Sequence, residues 1–136
     1  MNSYIKKAIK NVALTGKMLA DNLGLLKNDN NSSELTDKIS TNLEYFLCWT
    51  LEIADYKEKL WCDGFAHLDI NHTNEEFTFA GEAWIGPTSD GSVEYKCEMS
   101  GTVKLTSDNK VESYFFEIIY QKDKICICDK DVDRFR

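Results

Sequence analysis

Proline occurs once in this chain, histidine twice, and no run of apolar residues extends beyond a few positions. Collagen-like, proline-rich and low-complexity classes are thereby excluded, as is any helix with the roughly 20 apolar residues that a bilayer demands. Lys6, Lys7 and Lys10 near the start are not followed by the apolar segment of a secretion signal. The patterns G-x-G-x-x-G, G-x-x-x-x-G-K-[ST], G-x-S-x-G and H-E-x-x-H do not occur. The sequence therefore offers no phosphate-cradling loop, no nucleophile elbow and no zinc-protease helix. Basic residues are outnumbered by acidic ones, 16 to 23, for a net charge of −7. That balance argues against a nucleic-acid surface and leaves solubility or a basic partner as its use.

A disulfide framework is missing as well. Cys48, Cys62, Cys97, Cys126 and Cys128 are odd in number and follow no framework spacing. A reducing compartment fits them best, so the cytoplasm is the expected location and no membrane is expected as a partner. Cys126 and Cys128 make a C-x-C, but a second pair at zinc spacing is absent, and no metal or cofactor is expected.

What remains is a chain rich enough in apolar residues, 43% with 12% aromatic, to build a core, and 136 residues suit one domain spanning 1–136. Charge is unevenly divided: residues 1–27 hold five lysines against one aspartate, +4, and residues 28–136 hold eleven basic against twenty-two acidic groups, −11. The body of the fold is the acidic part.

Ser92 to Thr106 alternates without a break, Val93, Tyr95, Cys97, Met99, Gly101, Val103 and Leu105 against polar neighbours. That period predicts a strand with one dry and one wet face. A two-residue loop at Asp108-Asn109 places Val103 opposite Tyr114, Gly101 opposite Phe116 and Met99 opposite Ile118. Apolar meets apolar at each rung, and the Phe116 ring has room to lie over the bare Gly101 backbone. A turn at Lys122-Asp123 then sets Ile118 against Ile127 and Tyr120 against Ile125. Upstream, the loop 86–91 brings Ile85, Ala83, Gly81, Phe79 and Phe77 onto the same dry face.

Ahead of these strands, Ile5, Ile9, Val12, Gly16, Leu19, Leu23 and Leu26 recur every three or four residues and predict an amphipathic helix. A sheet with a dry face needs such a cover; a coiled-coil seam or a basic membrane-surface helix would share the same periodicity. Residues 28–33 read as a loop, with Ser33 capping a short helix. Segment 44–54 forks between a strand, from the alternation of Tyr45, Leu47, Trp49, Leu51 and Ile53, and a longer helix along Ile39, Leu43, Phe46 and Ile53. The concentration of aromatic and β-branched side chains favours the strand. Residues 61–71 alternate again, Ala66, Leu68 and Ile70 against Phe65, His67 and Asp69, followed by a turn over 71–74. The charged residues 129–136 read as a frayed tail.

Three constellations carry candidate chemistry. His67, Asp69 and His72, with Cys62 or Asp63, hold metal-ligand types, and Cys62, His67 and Asp69 hold nucleophile, base and orienting types. The spacing H-x-D-x-x-H matches no defined site, and turn chemistry accounts for it. The third lies on the wet side of the sheet, where the register places Phe115 facing Thr102, Glu117 between Ser100 and Cys128, and Ile119 between Glu98 and Cys126. Trp84 with Glu82, and Phe65 with His67 and Asp69, point the same way. A wet face should be polar, and this one mixes large apolar groups with carboxylates. A second small core, formed by curling of the sheet or by cover from 33–62, would explain the mixture; so would a protein interface or a ligand cavity.

The predicted architecture is α+β: a long N-terminal helix packed on a curved antiparallel meander of about five or six strands. In layout it resembles the cystatin and NTF2-like classes, and in general character, short, acidic and motif-free, it resembles bacterial immunity proteins. The latter implies a non-enzymatic inhibitor that blocks the basic active site of a toxin or nuclease. Glu98, Glu117, Glu82 and Asp69 would steer, and Trp84, Phe115 and Ile119 would anchor, in a monomer or homodimer. The alternative is an NTF2-like small-molecule binder or cavity enzyme with His67 and Asp69 as acid and base and Trp84 and Tyr114 as pocket walls.

Overall fold

A computed structural model describes residues 3–28 and 33–135. Two helices, α1 (Ser3–Leu26) and α2 (Ser33–Ile53), precede five strands, β1 (Leu60–Thr73), β2 (Glu76–Pro87), β3 (Tyr95–Leu105), β4 (Val111–Tyr120) and β5 (Asp123–Cys128), and a 3-10 helix follows (Asp129–Phe135). The strands form an antiparallel sheet in sequence order, curled but not closed. The α+β layout expected from the sequence is therefore present, with five strands, and the short helix expected after Ser33 runs on to Ile53 as a second long one. The loop expected over 28–33 falls largely on residues outside the described ones. No helix among the described residues is long and apolar enough to cross a membrane.

The second helix corrects the strand expected over 44–54. Leu35, Ile39, Leu43, Phe46, Leu47, Thr50 and Leu51 are buried at helical spacing, whereas the alternating set includes exposed Tyr45 and half-buried Trp49. A continuous apolar stripe facing a dry sheet outweighs the β-propensity of individual aromatic residues. Phe46 carries the contact: its ring meets Tyr114 edge-on at 4.9 Å and Phe116 at 6.4 Å. Helix α1 buries Ala8, Val12, Leu19 and Leu23. It lies mainly on α2, where Asn22 Nδ2 donates to Asn42 Oδ1 at 2.6 Å. It also reaches the tip of the β3–β4 hairpin, where the Asn109 side chain occupies the place of a Gly24 Cβ.

Both helices cover one face of the sheet. Phe77, Phe79, Ala83 and Ile85 from β2, Cys97, Met99 and Val103 from β3, and Phe116 and Ile118 from β4 point inward into one apolar cluster with them. The β3–β4 register is as the alternation demands, Met99 with Ile118, Gly101 with Phe116 and Val103 with Tyr114. Its loop is longer than expected: a bulge after Lys104 pairs Leu105 with Val111, and Asn109 takes a positive φ of 60°. This is how a three-residue hairpin loop accommodates strand twist.

Two local expectations fail, one through a shift that alternation does not register and one through bulges that interrupt it. The β4–β5 turn is Gln121-Lys122, not Lys122-Asp123, so Ile118 pairs with Ile125 and Phe116 with Ile127. A shift of two residues keeps each side chain on its face, and alternation alone cannot detect it. In β1 the alternation is broken by bulges between Cys62 and Phe65 and between Phe65 and His67. Phe65 consequently pairs with inward Ala83 and leaves the face it was expected to share with His67 and Asp69, while Ala66 is exposed. Gly81 is required here, because a Cβ would collide with the His67 backbone carbonyl. The strand also runs on through Thr73, so the turn is confined to Asn74 and Glu75.

The C-terminal segment is fastened rather than frayed. Asp129 accepts the Tyr114 N–H at 3.2 Å and Asp131 that of Cys128 at 3.0 Å. Arg134 donates to the Ile53 carbonyl, and Lys59 Nζ reaches the Glu52 carbonyl at 2.7 Å. Two cations thus satisfy the carbonyl end of α2.

Candidate functional site

The face of the sheet opposite the helices carries the groups singled out from the sequence. On β2, Glu82 and Trp84 point outward; their neighbours on β3 are Glu98 and Lys96. On β4, Phe115, Glu117 and Ile119 lie against Cys128, Cys126 and Lys124 of β5, two positions from the register expected. On β1, His67 pairs with Glu82 and Asp69 with Ala80. Glu82, Glu98, Glu117, Ile119 and His67 together line a shallow groove of about 490 Å³. Trp84 and Phe115 lie outside that groove lining, on the same face.

The proposed second core is absent from this face. Phe115 is 45% exposed, and the segment 33–62 lies mostly in α2 and β1, with α2 on the other side of the sheet. Among the described residues no helix packs here, and the apolar groups are held at the surface by strand geometry alone.

Charge is concentrated and only partly compensated. Glu82 and Glu98 stand directly opposite each other, a like-charge pair that disfavours folding. Glu117 has Lys124 at 3.8 Å, and His67 Nε2 lies 3.0 Å from Asp69 Oδ2. At the β1–β2 end, Trp61 is 43% exposed and borders a further hollow with Asp63 and Glu94. Desolvation and the adjacent Asp63 raise the Glu94 carboxyl above its ordinary value. These three extend the acidic and aromatic surface; the sequence singles out Asp63 only as a possible metal ligand, and Trp61 stands at the start of an alternation whose later bulges obscure its face.

Neither candidate for chemistry on β1 is assembled. His72 follows His67 by five positions within one strand, so it lies on the inner face, its ring 5.3 Å from Phe77. Cys62 is buried on that inner side, and burial raises its thiol above the ordinary range. No group of three His, Cys, Asp or Glu among the described residues is placed to hold a metal. His67 and Asp69 are 55% and 65% exposed. Tyr114 faces the helices, so it shares no pocket with Trp84 or with that pair.

The like-charge pair gives a direct test of what the face is for. Glu98→Gln is expected to stabilise the fold by about 0.3 kcal/mol at low salt. In urea unfolding the gain should vanish near 1 M salt, where the screening length is about 3 Å. An equal gain at both salt concentrations would show that repulsion is not its source.

The fold and face define an α+β protein with a helical layer on one side of a meander and an exposed acidic, aromatic surface on the other. No family model matches the chain, and no curated protein or solved structure matches it.

Proposed function

We propose that this chain is a non-enzymatic cytoplasmic binding protein of the immunity type, which neutralises a toxin or nuclease by seating its helix-free sheet face over a basic active site. The observation that carries the reading is the convergence on one exposed face of four carboxylates, Asp69, Glu82, Glu98 and Glu117, with Trp84, Phe115 and Ile119. Retaining Glu82 opposite Glu98 costs stability, and a basic partner would relieve that repulsion. The apolar groups supply contact area that desolvates on docking, and the carboxylates supply steering.

The test is capture from the native cytoplasm on the tagged chain, washed at physiological salt, with intact-mass measurement of what stays bound. A stoichiometric basic protein is expected, retained by the native chain and lost by the double variant Glu82→Lys/Glu98→Lys. Its association rate should fall at least tenfold between about 20 and 150 mM salt, as screening shortens the reach of the face. Recovery of the bare chain, or a partner that the reversed variant holds equally well, would sink the proposal.

A further inference from the structure

The helical layer has an outer side as well as the side that covers the sheet. Among the described residues eight large apolar side chains are exposed, and five of them lie on this layer, Tyr4, Leu14, Met18 and Leu25 on α1 and Tyr45 on α2. Spacing sets the α1 group in line. Tyr4, Lys7, Leu14, Met18, Asp21 and Leu25 are separated by three, four or seven residues and form one stripe, at the spacing by which paired helices meet. Ala8, Val12, Leu19 and Leu23, the buried stripe of the same helix, point the other way. The outer stripe is left in water by the fold of a single chain, and a contiguous apolar surface of this kind marks an interface.

Charge decides what covers it. Lys6, Lys7 and Lys10 are exposed at the N-terminal end of α1. Toward the other end, Asp21 follows Met18, and a shallow groove of about 440 Å³ between Met18 and α2 is bordered by Glu34 and Asp37. Two lysines are also present there, Lys17 at 3.2 Å from Asp21 and Lys38 at 3.8 Å from Glu34, in exposed pairs of the kind that hold weakly. An anionic membrane would meet the acids together with the lysines, whereas a second copy turned end for end brings the lysine end of one helix to the acidic end of the other. Residues 1–27 carry +4 and the remainder −11, so this is also the face on which two copies of an acidic chain repel least.

From this geometry we infer that the outer face of α1 docks on the same face of a second copy, with the two α1 helices antiparallel across a two-fold axis near Leu14. Leu14 and Met18 of both copies pack at the centre, and the axis repeats every contact, so Lys7 and Lys10 of each copy lie along Asp21 and Asp37 of the other. The sheet face stays open in this dimer, and the inference does not depend on that face or its partner.

The test is sedimentation of the full chain over a wide concentration range. Monomer should pass to dimer with a dissociation constant on the order of 10 µM, as suits a small interface. Met18→Glu, at a position 55% exposed, should fold normally and stay monomeric throughout. Lys7→Glu/Lys10→Glu should weaken the dimer at least tenfold, and adding Asp21→Lys/Asp37→Lys to the same chain should recover most of that loss, because both ends are then reversed together. Glu82→Lys/Glu98→Lys, on the sheet face, should leave the dimer unchanged. A monomer at every concentration, a dimer undiminished in folded Met18→Glu, or no recovery in the chain with all four charges reversed would each overturn the inference. So would a native chain that remains monomeric and co-sediments with phosphatidylglycerol vesicles, which would assign the stripe to a membrane surface. Should Met18→Glu fail to fold, Leu14→Glu, at a position 51% exposed, takes its place.

Discussion

Gly101→Val is expected to destabilise the protein by about 3 kcal/mol, a large share of the 5–15 kcal/mol typical of a domain. A Cβ at this position would overlap the Phe116 ring and come within 2.7 Å of the Phe115 carbonyl oxygen. The overlap follows from the register: Gly101 and Phe116 are direct partners, and the ring lies across the bare backbone among Phe79, Phe46 and Tyr114. Phe116 is fully buried, and Phe116→Ala should by itself cost about 3–5 kcal/mol. In the double variant the valine occupies space the ring has vacated, so the combined loss in urea unfolding should fall well short of the sum. Additive losses, or a Gly101→Val cost below about 1 kcal/mol, would show that the ring is free to move aside.

The second large effect concerns the anchors. Once a basic partner is in hand, Trp84→Ala and Phe115→Ala should each weaken binding about thirtyfold or more, the loss expected of a buried aromatic hot spot of about 2 kcal/mol. The change should appear in dissociation, because truncating an apolar anchor leaves long-range steering intact, whereas Glu82→Lys and Glu98→Lys should act on association. Surface plasmon resonance separates the two. Thermal stability should be little altered by Phe115→Ala, since that ring is 45% exposed on a face with no helix over it. Unchanged dissociation in both variants would place the interface elsewhere.

Both effects trace to the alternation in β3 and β4, the part of the molecule most legible from residues alone. A strand's two-residue period assigns every side chain to a face, and a one-residue slip would expose Val103, Met99 and Phe116 together. Gly101 opposite Phe116 and the outward placement of Phe115, Glu117 and Ile119 were therefore fixed once the apolar positions were known. The stripe of α1 was legible for the same reason at a period of 3.6. Segment 44–54 was not, because Tyr45, Leu47 and Trp49 satisfy the strand period while Leu43, Phe46, Leu47 and Thr50 satisfy the helical one. Only the sheet, by offering its inner face to Phe46, decides between them.

By itself, then, the sequence determined the α+β class, the dry and wet faces of the central strands and the acidic, aromatic character of the outer one. These depend on local periodicity and on charge, which any segment carries with it. Tertiary structure decided the rest. The bulges in β1 turned Phe65 inward and kept His67 outside, separating His67 from His72 across the sheet. The two-residue turn at Gln121 set which isoleucine meets which, a choice to which alternation is blind. The packing of α1 on α2 left a cleft between α1 and the β3–β4 hairpin, because a fixed helix spacing creates space that exists in neither segment alone.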